Sequence, residues 1–112
     1  VQLESRTAAE AEFFYNGRLV VATVYKKDYK YLDGRGEIAL NLLGQIKGVE
    51  FIVLLKEQKE EQVGLSIRSR KNPINHIAEA LGGGGHERAA GAVVRDTLEN
   101  VKKRVLELFR KE

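Results

Sequence analysis

Residues 51–55 read FIVLL, an uninterrupted apolar run in a chain of 112 residues. Gly48 lies shortly before the run, and the highly charged stretch 57–61 follows it. A short apolar run with such boundaries is typical of a strand that is buried on both faces of a sheet. We therefore expect residues 51–55 to form a central strand and residues 57–61 to form a hairpin turn.

The segments on either side of this run alternate between strand and helix patterns. Val63, Leu65 and Ile67 alternate with small or polar residues, which predicts a strand. Other strands are predicted at 19–25 and 89–94, and helices at 3–14, 37–46, 73–81 and from residue 96 onward. Together these patterns predict one α/β domain, in which helices pack on a mixed sheet of about four to five strands.

Sequence signals also mark the ends and the apolar faces of the helices. Asn72 is a predicted cap with Pro73 at the first helical position, and Gly82 is the predicted stop. Asp96, with Glu99 three residues later, predicts a capping-box-like start for the last helix. Apolar residues recur at helical spacing in three helices: Ile38, Leu42 and Ile46; Ile74, Ile77, Ala78 and Leu81; and Leu98, Val101, Val105 and Leu108.

The composition is that of a soluble globular protein, with 43% hydrophobic and 31% charged residues. The absence of cysteine excludes a disulfide framework and a thiolate metal site, which favours a cytoplasmic location. No apolar run is long enough for a membrane span. The chain begins at Val1 and contains no methionine, which suggests a piece of a longer protein.

Positive charge is concentrated in one third of the chain. Residues 63–95 contain five arginines and lysines and two glutamates, so this stretch carries the whole net charge of +3. A local basic excess can attract anionic ligands. The other interpretation is an ordinary solvated surface.

Inside this basic stretch, residues 81–92 read LGGGGHERAAGA. Glycine can adopt positive φ and can lie directly against a ligand, and successive N–H groups in such a turn can bind an anion. His86 adds a donor next to the glycines. These features are compatible with a phosphate-binding loop, and a purely structural glycine turn is the alternative interpretation.

The predicted strand at 63–68 carries a second candidate feature. Alternation places Ser66, Arg68 and Arg70 on the face opposite Val63 and Ile67. A hydroxyl and guanidinium groups suit phosphate oxygens, although a charged edge strand has the same pattern. The strand and the glycines are one helix apart in sequence, so the two features could converge in space.

The sequence SIRS at 66–69, the short helix and GGGGHERAAGA resemble the C-terminal DHHA1 domain of DHH-family phosphoesterases. The most similar group is that of the nanoRNases and pAp phosphatases, also called exopolyphosphatase-related. In that family this domain is the substrate-binding lobe, which implies that a flexible glycine loop and His86 close on the substrate. The resemblance implies a set of substrate-binding residues: Ser66, Arg68, Ser69, Gly82, Gly83, Gly84, Gly85 and His86, with Arg88 as a less specific match.

The resemblance also implies that this chain is only part of an enzyme. The family's manganese site and Asp-His-His motif lie in a separate N-terminal DHH domain, and this sequence has no Asp-His-His motif. We therefore expect no catalytic residue, metal site or activity in the chain alone. Residues 1–16 are expected to form a helix after an interdomain linker, and residues 17–112 the DHHA1-like domain.

The expected partners are the DHH domain of the same polypeptide and a nucleotide or short single-stranded oligonucleotide. The candidate substrates are pAp, short RNAs, cyclic-dinucleotide products, single-stranded DNA and polyphosphate. The resemblance is compatible with a homodimer of the full-length protein and implies no membrane. The alternative function is a freestanding module that binds nucleic acid or nucleotides without catalysis.

Overall fold

The computed structural model describes residues 11–26 and 36–112, which form six strands and three helices. The elements in chain order are β1 (Glu12–Phe14), β2 (Leu19–Val24), α1 (Gly36–Gly44), β3 (Phe51–Lys59), β4 (Gln62–Ser69), α2 (Asn75–Ala80), β5 (Gly84–His86), β6 (Ala89–Val94) and α3 (Leu98–Phe109). In this part of the chain, no helix has the length and apolar character needed to cross a membrane.

All six strands belong to one mixed sheet with the order β1-β2-β3-β4-β6-β5. Only β2 and β3 are parallel; the other neighbouring strands are antiparallel. The predicted fold class is confirmed, with a strand count slightly above the expected one. As predicted, β3 lies inside the sheet and residues 51–55 are all buried. The turn after it is shorter than predicted, because β3 continues to Lys59 and β4 begins at Gln62.

The two faces of the sheet carry separate apolar clusters. On the first face, α2 and α3 pack against β2, β3, β4 and β6 through residues such as Ile77, Val105 and Ile67. On the second face, α1 packs through Leu40 and Leu43 against β2 and β3 only. The two faces are therefore covered to different extents by the described helices.

The predicted N-terminal helix is wrong at its C-terminal end, because residues 12–14 form β1; residues 3–10 lie outside the described part. A turn with positive φ at Tyr15 (57°), Asn16 (59°) and Gly17 (81°) reverses the chain and pairs β1 with β2. Phe14 and Tyr15 pack against the first-face core, and the Tyr15 hydroxyl donates to the Leu106 carbonyl at 2.5 Å. Pairing and packing thus override the helix propensity of this stretch.

The helix predicted at 37–46 forms but ends at Gly44, where the Arg70 Nε donates to the Gly44 carbonyl at 2.9 Å. The residues that face the sheet are Ala39, Leu40 and Leu43. The apolar residues at four-residue spacing face outward instead: Ile38, Leu42 and Ile46 are 47%, 45% and 39% exposed.

The helix starts differ from the predicted ones by one or two residues. α2 begins at Asn75 with Ile74 at the N-cap and no side-chain cap. The predicted cap, Asn72, lies in the preceding turn, where its backbone carbonyl accepts from the Ser69 hydroxyl. α3 is capped by Thr97, whose hydroxyl accepts from the Asn100 N–H at 3.2 Å.

The predicted apolar faces of α2 and α3 agree with the structure in most positions. Every residue predicted for α2 is buried. In α3, Val101 and Val105 are buried as predicted, but Phe109 completes the buried face while Leu98 and Leu108 are only partly buried.

Candidate functional site

The first two glycines of the run at 82–85 end α2. Gly82 has a φ of 88° and donates its N–H to the Glu79 carbonyl, and Gly83 donates to the Ala78 carbonyl at 2.8 Å. This is the hydrogen-bond pattern of a Schellman cap, which satisfies carbonyls at a helix C-terminus. These two N–H groups therefore serve the helix and do not form the anion-binding concavity expected from the sequence.

The next residues of the run form a strand, not a loop. β5 pairs with β6 through a hairpin whose two-residue turn is Glu87 and Arg88. The Arg88 carbonyl accepts from the Ser69 N–H at 3.0 Å, and the Glu87 carbonyl accepts from the Ile74 N–H at 2.7 Å. Backbone hydrogen bonds therefore hold the hairpin turn against the end of β4 and the start of α2.

The register of the three strands brings the two candidate features together. In one row across β5, β6 and β4, the residues opposite one another are His86, Ala89 and Arg68. In a second row on the same face, they are Gly84, Gly91 and Ser66. Residues directly opposite each other project to the same face of a sheet. Ser66, Arg68, Gly84 and His86 therefore share the second face; these four are called the candidate site residues below. With strands about 4.8 Å apart, the Cα atoms of Arg68 and His86 are about 10 Å apart.

This half of the second face is open in the described part of the chain. α1 covers β2 and β3, and no described helix packs over β4, β6 and β5 on this side. His86 is exposed, and Ser66 and Arg68 are partly exposed. A depression of about 530 Å³, called the open groove below, is lined by Lys56, Gln58, Gly64, Leu65, Ser66, Gly82, Gly83, Gly91, Ala92 and Val93.

Two polar residues singled out in the sequence do not join the candidate site residues. Ser69 lies opposite Phe51, on the first-face side, and its hydroxyl donates to the Asn72 carbonyl and accepts from the Lys71 N–H. Arg70 is on the expected side, but its guanidinium binds the C-terminal carbonyl of α1. Arg88 is exposed in the hairpin turn, at the edge of the site.

The glycines differ in what surrounds them. A Cβ on Gly83 would lie 2.6 Å from the Ala92 Cα, and one on Gly85, whose φ is 147°, would lie 2.6 Å from the Ala90 Cα. Gly84 needs no positive φ, and a Cβ there would have no atom within 4 Å. Gly84 therefore does not use the positive φ that glycine permits, and instead leaves open space above the site.

Several groove residues were not found by sequence reasoning. Lys56 and Gln58 follow the apolar run in β3, and Gly64 and Gly91 lie on the next two strands of the sheet, β4 and β6. Alternation along β3 could have placed Lys56 and Gln58 on the second face, because they have the same parity as Ile52 and Leu54.

The clearest pKa shifts belong to residues that lie away from the site and make contacts within the fold. A hydrogen bond from Arg18, at 2.9 Å, lowers the pKa of Glu50 and raises that of the guanidinium. Hydrogen bonds from the Asn100 side chain and the Thr97 N–H lower the pKa of Asp96. These pairs join β2 to the start of β3 and hold the first turn of α3.

Within residues 11–26 and 36–112, no three His, Asp or Glu side chains come together in a way that could hold a metal ion. The manganese that the family resemblance implies therefore has no set of ligands among these residues. The chemistry available at the open face is hydrogen bonding and positive charge.

The DHHA1 domain family model matches residues 16–112, and the chain belongs to this family. It is 34% identical over 115 residues to the bifunctional oligoribonuclease and PAP phosphatase NrnA of Thermus thermophilus, a match that covers 99% of the chain and 34% of that protein. It is also 34% identical over 101 residues to an uncharacterised protein of Mycoplasma genitalium, with 88% of the chain and 31% of that protein covered.

Solved structures agree with this assignment. An exopolyphosphatase-related protein from Bacteroides fragilis matches with a TM-score of 0.87 and 25% identity, over 98% of the chain and 34% of that protein. A pGpG-specific phosphodiesterase from Vibrio cholerae shares the fold, with a TM-score of 0.65 and 11% identity over 98% of the chain and 37% of that protein. The chain spans about a third of the length of each of these proteins.

The different surroundings of the glycines predict different costs for the same substitution. Gly83→Ala should destabilise the domain by about 1–3 kcal/mol, because the new methyl group overlaps β6. Gly84→Ala should change the free energy of unfolding by less than about 0.5 kcal/mol, because its methyl group enters open space. Urea unfolding followed by circular dichroism measures both variants. Equal destabilisation by the two substitutions would contradict this account of the glycine run.

Proposed function

We propose that this domain binds the phosphate of a nucleotide or short single-stranded oligonucleotide, as the substrate-binding part of a larger DHH-family phosphoesterase. The observation that carries the proposal is the register of β4, β6 and β5, which gathers Ser66, Arg68, Gly84 and His86 on one open face. These residues come from two separate sequence features, yet they meet on a surface that the described helices leave uncovered.

The chemistry of these residues suits a phosphate ester. A guanidinium has five N–H donors, so the bond from the Arg68 Nη1 to the Ile67 carbonyl is compatible with a bidentate contact to phosphate oxygens. The Ser66 hydroxyl and the His86 ring add neutral or charged donors on either side. Gly84 allows a ligand to approach the backbone between them, because no side chain occupies that space.

The relatives support an association with phosphoester hydrolysis. The Thermus thermophilus relative carries oligoribonuclease and PAP phosphatase in its name, and its similarity to this chain includes nearly the whole domain. Because the chain spans only about a third of that protein, the reaction itself is assigned to the remainder of a longer polypeptide. The role proposed for this domain is to bind and orient the substrate.

Arg68→Ala tests the phosphate contact. Loss of a charge-assisted bond should weaken binding of pAp by about 1.5–3 kcal/mol, which is roughly 10- to 150-fold in dissociation constant. Chemical-shift titration of the ¹⁵N-labelled chain measures this affinity. Arg95→Ala is the matched control, since it removes the same charge from the exposed end of β6. Equal weakening by both variants would reduce the effect to net charge and would contradict a specific contact.

Gly84→Val tests the backbone approach without any change in charge. The valine side chain should block the space above Gly84 and weaken pAp binding, while the thermal melting temperature stays near that of the wild type. His86→Ala should also weaken binding, because it removes a donor and leaves the hairpin backbone intact. Wild-type affinity in both variants would show that the glycine run only ends α2 and forms the edge of the sheet.

The 112-residue chain should show no hydrolysis of pAp or of a dinucleotide in the presence of manganese. Two-metal hydrolysis needs clustered acidic and histidine ligands, and the described residues contain no such cluster. Product formation is measured by chromatography across successive purification fractions. Turnover that follows the chain through those fractions would contradict the proposal that this domain binds the substrate and that the reaction takes place elsewhere in a longer polypeptide.

A further inference from the structure

Gln58 occupies an irregular position in the sheet at one end of the open groove. The pairing of β3 with β4 runs regularly to Glu57 and Val63, and then shifts so that Lys59 lies opposite Gln62. Gln58 therefore has no residue opposite it in the ladder. A bulge of this kind redirects a side chain, and bulges are common beside functional sites.

The Gln58 side chain folds back over Gly64. A Cβ on Gly64 would overlap the Gln58 Nε2 and would lie 3.1 Å from its Cδ, so the amide lies directly above the glycine. The Gln62 Nε2 donates to the Gln58 Oε1 at 2.8 Å. The amide is thus oriented with its oxygen toward Gln62 and its NH₂ group over the groove floor.

The surroundings of this amide suit a planar group with hydrogen-bond acceptors. Lys56, directly opposite Gly64, also lines the groove and can only donate. Val93 is 55% exposed and supplies an apolar surface beside the amide. A volume of about 530 Å³ lies within the range of about 300–1,000 Å³ typical of small-molecule sites, and greatly exceeds what a single phosphate needs.

The groove reaches the candidate site residues at Ser66, which is the one of the four that lines it. Ser66 lies two residues from Gly64 and two from Arg68, which is about 7 Å in each direction along β4. A nucleotide whose phosphate contacts Ser66 and Arg68 can therefore extend along the groove, toward Gly64 and Gln58.

We infer that Gln58 is a specificity-determining residue that reads the base of the bound nucleotide, and that it favours a carbonyl oxygen over an amino group at position 4 of a pyrimidine or position 6 of a purine. Uracil and guanine offer a carbonyl oxygen where cytosine and adenine offer an NH₂ donor. Two donors facing each other would leave both groups without a partner. The inference rests on the proposed function, because the phosphate contact sets the direction of the nucleotide.

Paired nucleotides test the inference on the ¹⁵N-labelled 112-residue chain. UMP and CMP differ at positions 3 and 4 of the base. GMP carries a further amino group at position 2, so the matched purine pair is IMP and AMP, which differ at positions 1 and 6. We expect UMP to bind about fivefold or more tightly than CMP, and IMP than AMP, with shifts at the amides of Gln58, Gly64 and Val93. Gln58→Met should remove the preference, and Gln58→Glu should reverse it by exchanging donors for acceptors.

Two controls separate this inference from the proposed function. Gln45→Glu makes the same chemical change on an exposed residue after α1 and should leave the preference unchanged. Inorganic phosphate should bind equally to the wild type and to Gln58→Met, since its contacts are at Ser66 and Arg68.

Equal affinity for UMP and CMP, or a preference that survives Gln58→Met, overturns the role of Gln58 even if phosphate still binds. If the preference among nucleotides depends on Gln58 but Arg68→Ala leaves nucleotide affinity unchanged, the base subsite is supported and the phosphate contact of Arg68 is overturned. If no nucleotide shifts any groove amide, both are overturned.

Discussion

The antiparallel pairing of β4 with β6 is the constraint on which the candidate site depends. β6 lies between β4 and β5, and its small residues Ala89 and Gly91 separate the arginine and serine on one side from the histidine and glycine on the other. A shift of the register by one residue would turn Ser66 and Arg68 into the first-face core and expose Leu65 and Ile67. Burial of those apolar side chains therefore also fixes the face that the polar ones occupy.

The second face is covered by α1 over β2 and β3 only, and the side chains of the strands explain this difference. β2 and β3 present valines, isoleucine and leucine there, and α1 buries them. Burial of such a side chain stabilises a fold by about 1.5–3 kcal/mol, whereas glycine and serine offer almost no apolar area. On the half built from Gly64, Ser66 and Gly91, a covering helix would bury little apolar area and would add little to the stability of the fold. The small residues that leave room for the proposed ligand thus also explain why no described helix covers this half.

The sequence predicts the core of the fold better than the site because the two depend on different information. Apolar runs locate β3 and β6, alternation locates β4 and helical spacing locates the buried face of α2, since each element must bury a set of apolar side chains. β5 has no such set, because glycine has no side chain that could alternate, and it was therefore predicted as a loop. The outward apolar residues of α1 show the opposite error, in which regular spacing exists but Leu40 and Leu43 face the sheet instead.

For the site, alternation correctly places Ser66 and Arg68 on one face, but it cannot describe what tertiary contacts decide. Ser69 follows Arg68 in the same short motif, yet its hydroxyl belongs to the turn before α2. Gln58 has the alternation parity of the second face, but the shift of the β3–β4 register that leaves it without a residue opposite is not visible in the sequence. Neither a turn that captures a hydroxyl nor a bulge leaves a periodic trace in the sequence.

The same contacts change the physical interpretation of the four glycines. A flexible loop that closes on its substrate was expected, but Gly82 and Gly83 are held by the C-terminal carbonyls of α2, and Gly84 and Gly85 pair with β6. The hairpin that follows is fastened at Glu87 and Arg88. A surface ordered before binding avoids the entropy cost of ordering a loop around the ligand. In this domain glycine therefore provides close backbone packing at residue 83 and free space at residue 84, and not flexibility.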